Sequence, residues 1–494
     1  MIVLTDLRGV AEVFADPQLL LLMLVGTVAG VMVGAIPGLT GAMLIALTLP
    51  LTFAMDGSQA MALLVSMYVG SVSGGLITAT LLRMPGTPAS IMTTLDGYPM
   101  AKRGMAGRAL GLGAGASLFG GLISWLFLFL LARPIAVWST RFGPFEFVGL
   151  VLLALVLIAG VGGKSLVKGL FAACLGVFLT IPGVSPANGE SRWTLGIAEL
   201  SDGFKLLPVL IGLFAVNQML QSLLETSTTS KQFSASRKGM LQPWTEWRKH
   251  VVNLLRSSCL GTWVGVLPGV GANIGSVIAY SAARKASRKP EEFGSGSEEG
   301  IVASESANNA TVGGALIPLI SMGIPGSVID TILLGALIIH GLQPGPLLFD
   351  QNPDAVYVII AAMLAANLIM FLFVWSSVGW IAKLASMSRA ILLPSIMVFC
   401  VVGSFALANR MFDVWVMLGF GLVGFTLERC KIPLAPLVIG FVLAPILEKH
   451  LATGLMQTGG SLVPLFTRPI ALSFVLLAAA VLAWNVFDFR RSSD

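Results

Sequence analysis

Charge is scarce in this chain. Only 11% of its 494 residues are Asp, Glu, Lys or Arg, against about 25% in an ordinary soluble domain. A water-exposed surface over most of the molecule is excluded. Histidine is almost absent, with three residues, and His340 lies in a predicted loop with no neighbouring metal ligands. There are four cysteines, Cys174, Cys259, Cys400 and Cys430. Their spacing matches neither a zinc site nor a secreted disulfide framework, and they read as small buried hydrophobes. No Ser-His-Asp arrangement, Walker lysine motif or Cys-x-x-Cys occurs, so neither an enzyme nor an ATP-burning subunit is indicated. No resident cofactor is implied. Asp6 and Glu12 interrupt the first stretch, and no small-residue cleavage pattern follows, so a cleaved leader is not expected.

Apolar sequence fills the space left by charge. Hydrophobic residues make up 56% of the chain, and mean hydropathy is +0.89. Apolar runs recur along nearly the whole length. The fold class expected is an all-α polytopic membrane protein with about 10–12 transmembrane segments. The 56 glycines and 25 prolines suit closely packed and broken membrane helices. The net charge of +6 bears on orientation and lipid headgroups, not on nucleic acid.

The breaks carry the functional signal. Gly313–Ser327 is apolar yet contains Pro318, Pro325 and four glycines. Non-helical backbone at membrane depth must be buried in protein or line a wet cavity. An earlier stretch, Gly74 through Pro85-Gly86-Thr87-Pro88, has the same character. Thr87 is placed as an N-cap and Pro88 as the first helical residue. The helix they open is expected to stop at Asp96-Gly97-Tyr98-Pro99. Two further Pro-Gly pairs stand at Pro37-Gly38 and Pro268-Gly269. Pro37 and Pro268 are 231 residues apart, and Pro85 and Pro325 are 240 apart. Matching order at nearly matching separation predicts two internal repeats, expected to be inverted, each with broken or re-entrant helices.

Three regions follow. Residues 1–224 form the first half. Residues 225–250 are the most hydrophilic segment and form a connector. Residues 251–494 form the second half. Lys102, Arg103 and Arg108, with the basic connector, put both loops in the cytoplasm. Residues 182–200 read as a loop, and Leu206–Leu224 as a span.

Proline removes a backbone donor and glycine admits positive φ, so a helix can stop and restart inside the bilayer. The restarted end offers free N–H groups and a positive dipole, which is an anion site without a fixed cation. Candidate substrate-binding residues are therefore Pro37, Gly38, Thr40, Arg83, Pro85, Gly86, Thr87, Pro268, Gly269, Asn273, Pro325, Gly326 and Ser327. Thr87 and Ser327 either cap a helix or touch ligand. Arg83 either pairs with a substrate carboxylate or snorkels to headgroups. Glu305, Asn308 and Asn309 either coordinate a hard coupling cation or bond between helices.

These motifs resemble the large membrane subunit of the tripartite tricarboxylate transporters, the TctA family. The resemblance rests on Gly34-x-x-Pro37-Gly38-Leu39-Thr40, Pro85-Gly86-Thr87-Pro88 with Asp96-Gly97-Tyr98-Pro99-Met100, and Leu267-Pro268-Gly269-x-Gly271-Ala272. It also rests on Glu305-Ser306-Ala307-Asn308-Asn309-Ala310, Gly323-Ile324-Pro325-Gly326-Ser327 and His340-Gly341-Leu342-x-Pro344-Gly345-Pro346. It implies a permease of the bacterial inner membrane that takes up di- or tricarboxylates on a sodium or proton gradient. It also implies a small TctB-like membrane subunit and a periplasmic TctC-like binding protein as partners. At position 83 the resemblance leads one to expect a neutral polar residue, commonly Asn, where this chain has Arg. A non-transporting scaffold or assembly subunit is the alternative reading.

Overall fold

The computed structural model describes residues 2–36, 38–84, 87–161, 165–224, 237, 239–268, 271–384, 389–406 and 408–491. The helices of the first half are α1 (Ile2–Val13), α2 (Pro17–Gly34), α3 (Gly41–Thr48), α4 (Gly57–Leu82), α5 (Ile91–Lys102), α6 (Ala106–Ser139), α7 (Pro144–Val161), α8 (Leu166–Phe178), α9 (Leu206–Leu210) and α10 (Asn217–Leu224). A π-helical stretch, Ile211–Val216, joins α9 to α10. The second half contains α11 (Trp244–Val266), α12 (Gly271–Ala286), α13 (Glu298–Met322), α14 (Val328–Ile339), α15 (Leu348–Gln351) and α16 (Pro353–Leu384). It ends with α17 (Arg389–Ala406), α18 (Met411–Arg429), α19 (Leu434–Gln457), α20 (Val463–Thr467) and α21 (Pro469–Arg491). The protein is all-α and polytopic. Among the described residues seven helices are long and apolar enough to cross a membrane.

Local sequence explains the ends of the two central helices. Asp56 opens α4 with a reciprocal cap: its carboxylate accepts from Gln59 N at 2.8 Å, and Gln59 Oε1 accepts from Asp56 N at 3.4 Å. Ser297 opens α13 by accepting from Gly300 N at 3.2 Å. Gly323 closes α13 in the left-handed region, φ +72°, and Ile324 N returns to Pro318 O at 3.2 Å. Arg83 closes α4 the same way, φ +57°, with Met84 N on Thr78 O at 3.3 Å. Arg83 and Gly323 are 240 residues apart.

Glycine brings the helices of each half together. A Cβ on Gly34 would sit 2.2 Å from Ser71 O, and one on Gly265 would sit 2.4 Å from Thr311 O. A Cβ on Gly74 would meet Val31 O at 2.4 Å, and one on Gly314 would meet Thr262 O at 2.2 Å. The α2–α4 and α11–α13 pairs thus pack in the same register, at offsets of 231 and 240 residues. Backbone-to-backbone approach of this kind is how membrane helices gain van der Waals contact.

The long helices then exchange partners. α6 lies along α13 of the second half, and α16 lies along α4 of the first. Ser139 Oγ donates to Ser321 O at 3.1 Å. Trp125 Nε1 donates to Ile360 O at 3.0 Å. Polar contacts gather at the two ends. At one end Arg108 binds Glu298, Glu246 and Gln242. At the other, Thr52 Oγ1 meets His340 Nε2 at 2.9 Å, and Arg192 holds Glu448 in a two-pronged pair at 2.9 and 3.1 Å.

Some sequence expectations need correction. The helix after the first break does not stop at Asp96–Pro99 but runs to Lys102. Asp96 does not turn the chain because its carboxylate is engaged elsewhere. It accepts from Gly294 N, Gly296 N and Ser297 N, each at 2.8 Å, and from the Tyr280 hydroxyl at 2.8 Å. The segment 182–200 includes a short hairpin, Gly183–Val184 against Ser191–Arg192. Cys400 is buried, but Cys174, Cys259 and Cys430 lie on exposed faces. An outer face in a membrane is itself apolar, which accommodates them. Of the connector, residues 225–236 and 238 lie outside the described residues.

Candidate functional site

The site is built around α4, which is buried from Ala60 to Leu82. Near its middle, the Tyr68 hydroxyl lies 3.3 Å from Ser327 Oγ, at the second helix break. Seven residues later, a Cβ on Gly75 would meet Thr87 N at 3.1 Å and Ser90 Oγ at 2.3 Å, at the first break. Seven helical residues rise about 10 Å. The two breaks therefore touch one helix within two turns of each other.

Between these points α4 meets the polar run of α13. Ser73 Oγ donates to Asn309 Oδ1 at 2.6 Å. Asn308 Nδ2 donates to Val72 O at 3.4 Å, and Asn309 Nδ2 donates to Glu305 O at 3.3 Å. Glu305 is fully buried. One carboxylate oxygen accepts from Thr93 Oγ1 and the other from Ser117 Oγ at 3.1 Å. α5, α6 and α13 therefore converge on one carboxylate. Asn308 Oδ1 is buried and has no protein donor. Oxygen dominates this cluster, which suits a hard cation. Among the described residues no group of three or more His, Cys, Asp and Glu forms a candidate metal centre.

The two breaks differ in detail. At the second, Ser327 caps α14 by accepting from Asp330 N at 3.3 Å. At the first, Thr87 does not cap a helix directly. A 3-10 turn at Pro88–Ser90 intervenes, and Thr87 Oγ1 meets Ser90 Oγ at 2.8 Å. Thr40 caps α3 by accepting from Met43 N at 3.2 Å. Gly38 has φ +86°. Pro268 follows the end of α11, and Gly271, at φ +64°, brings that loop to Ser327, whose Cβ would lie 3.7 Å from a Cβ at 271. A Cβ on Gly326 would meet Gly265 O at 2.8 Å. Arg83 is exposed, with its guanidinium 5.7 Å from the centre of the Tyr98 ring. Pro37, Pro85, Gly86 and Gly269, together with the Asn273 side chain, lie outside the described residues.

Four residues at or near the breaks escaped the sequence reading: Tyr68, Thr93, Ser117 and Asp330. Asp330 had a signal, since it is the lone acid in the apolar run Val328–Ile339. Tyr68 is one of four tyrosines in the chain and sits in an apolar helix. Thr93 and Ser117 carry no such mark, because small hydroxyl residues are common in membrane helices.

Residues 20–439 match the Tripartite tricarboxylate transporter TctA family. The chain belongs to that family. TctA proteins form a transporter family, not an enzyme family, and this member is a multi-pass membrane protein of tripartite tricarboxylate transport. One similar protein is the "Uncharacterized 52.8 kDa protein in TAR-I ttuC' 3'region" of Agrobacterium vitis. It is 33% identical over 471 residues, covering 95% of this chain and 93% of the relative. Another from Agrobacterium vitis, the "Uncharacterized protein in TAR-II ttuC' 3'region", is 36% identical over 215 residues, covering 44% of this chain and 89% of the relative. No solved structure matches.

Proposed function

We propose that this TctA-family chain is the permease subunit of a binding-protein-dependent secondary transporter for di- or tricarboxylates. The observation that carries the reading is that one buried helix, α4, is touched by both helix breaks within about 10 Å. A multiply charged anion is costly at membrane depth unless donors meet its oxygens. Two restarted helix ends beside one buried helix supply such donors and a favourable dipole. The substrate carboxylates sit between Pro85-Gly86-Thr87 and Pro325-Gly326-Ser327. Glu305, Asn308 and Asn309 hold a coupling sodium ion or proton. The matched α2–α4 and α11–α13 registers support two repeats. α3 meets α14 and α12 meets the Pro88–Ser90 turn, equivalent pairings in the two halves, and we take the repeats as inverted and the motion as alternating access. The bacterial inner membrane is the site of action, with a TctB-like subunit and a periplasmic TctC-like binding protein as partners. A scaffold would have no use for paired breaks.

Uptake of labelled carboxylates tests this. Cells with both partners should accumulate one of a panel of di- and tricarboxylates, and accumulation should vanish without the binding protein. Gly86→Val should abolish uptake at matched expression by filling the space a ligand needs against the backbone, and Gly326→Val by pressing a side chain onto Gly265 O at the second break. Undiminished uptake in both variants removes the proposed site.

A further inference from the structure

Asp330 is fully buried, in the first turn of α14, directly after the second break. By strict geometry neither carboxylate oxygen completes a hydrogen bond, although the Ser327 hydroxyl and the backbone N–H groups of Ser327 and Asp330 lie beside it. Among the described residues no Lys, Arg or His forms an ion pair with it. A bare buried carboxylate is strongly disfavoured. An ionisable side chain at membrane depth marks a functional site by default.

The chain contains its own control. Ser90 stands 240 residues before Asp330, at the corresponding place after the first break. There two hydroxyls, Thr87 Oγ1 and Ser90 Oγ, satisfy each other at 2.8 Å. A serine is therefore enough to build such a break, and the charge at 330 is an addition. The neighbouring Ser327 brings hydroxyl oxygen to it. The Ser327 hydroxyl takes the Asp330 N–H at 3.3 Å and lies 3.3 Å from the Tyr68 hydroxyl. Gly265 O, in the last turn of α11, borders Gly326, and the C-terminal end of a helix favours positive charge. Ser327, Val328 and Ile329 are partly exposed, which gives a route in.

We infer that Asp330, with the hydroxyls of Ser327 and Tyr68, binds a monovalent alkali cation of the sodium type beside the second helix break. Carboxylate, hydroxyl and carbonyl oxygens are the ligands a hard cation takes. A bound cation offsets the Asp330 charge beside the anion placed between the two breaks. This goes beyond the carboxylate reading and does not need it, because the cation is measured without any carboxylate.

The test uses the full-length chain purified in detergent at one pH, with choline chloride replaced stepwise by sodium chloride at constant ionic strength. Thermal unfolding is the readout, since a ion bound only to the native state raises its midpoint. The wild-type midpoint should climb with sodium. Asp330→Asn should need about tenfold more sodium, or more, for the same rise, as expected when a buried charge partner is removed. Tyr68→Phe should fall between the two. Glu305→Gln should keep an Asp330-dependent response, which separates this site from the Glu305 cluster. If Asp330→Asn does not fold, Asp330→Ser restores the residue of the first break and carries the same comparison. An equal sodium response with and without the carboxylate overturns the inference and leaves Asp330 a helix cap. So does a wild type blind to sodium, including one whose midpoint follows pH through Asp330, which would make it a proton site.

Discussion

Ser73 Oγ donates to Asn309 Oδ1 at 2.6 Å, joining the centres of α4 and α13 across 236 residues of sequence. The bond is fully buried. Removing the Ser73 hydroxyl leaves a buried amide oxygen without its donor, which costs about 1–3 kcal/mol. Ser73→Ala should lower thermal stability in detergent by that order. If the amide also serves a coupling cation, Asn309→Ala and Asn308→Ala should raise the half-saturating sodium concentration for uptake beyond what their stability loss explains. Unchanged sodium dependence in both would leave the amides a purely interhelical role.

Gly34 and Gly265 make the second test. At each a methyl group would run into a backbone carbonyl, at 2.2 and 2.4 Å. A carbonyl in a helix cannot rotate aside, so the helices must separate. Gly34→Ala and Gly265→Ala should each destabilise the protein by about 1–3 kcal/mol or more. Gly419, in α18, has nothing within 4 Å of its would-be Cβ. Gly419→Ala should be neutral or slightly stabilising, by up to about 1 kcal/mol. The yield and thermal midpoint of folded protein in detergent should rank the three accordingly.

Arg83 closes α4 through its backbone, and its guanidinium lies over the Tyr98 ring. It occupies the left-handed cap that Gly323 fills in the other half, a conformation that costs a side-chain-bearing residue on the order of 1 kcal/mol. Arg83→Gly should therefore raise stability, whereas Arg83→Val should lower it. Asn is the other residue common at such caps, which gives a physical reason for expecting it at this position. With the guanidinium exposed over Tyr98, Arg83→Gln should leave the uptake half-saturation for di- and tricarboxylates unchanged. A shift between the two substrate classes would place Arg83 at the substrate.

Sidedness is checked with cysteines in a background lacking Cys174, Cys259, Cys400 and Cys430. Lys102 and Asp202 are exposed and lie on either side of α6, α7 and α8. If the Lys102–Arg108 loop is cytoplasmic, three crossings put Asp202 outside. A membrane-impermeant thiol reagent should label Asp202→Cys in intact cells and spare Lys102→Cys until the cells are opened. Labelling of Lys102→Cys first would reverse the orientation.

Composition and Pro-Gly punctuation make the membrane class and the helix breaks legible in the sequence, because both are local. The spacing of Pro37 and Pro268, and of Pro85 and Pro325, likewise pointed to the paired helices. Glu305, Asn308 and Asn309 showed themselves as polar residues in an apolar setting, and they do lie together. What stayed hidden depends on tertiary approach. Asp96 looked like a turn residue, since nothing local reveals the three amides of residues 294–297 that it accepts. The passage of α6 to α13 has no local signature, because a glycine-rich apolar helix packs equally well on many partners. Asp330 stands out in sequence as the lone acid of Val328–Ile339, but its burial beside Ser327 is a tertiary fact that no local pattern carries.

The exchange of α6 and α16 has a consequence for biosynthesis. When Ser139 leaves the ribosome, the helix that will cover α6 has not been made. Met322, the end of α13, is 183 residues further on. At about 5–20 residues per second this is a wait on the order of 10–40 s. Through that interval α6 carries Ser117 and a glycine-lined face toward lipid or the insertion machinery. α4 likewise waits for α16. The nascent chain thus enters the membrane as two unfinished halves, and its core closes only once α16, which ends at Leu384, has been made.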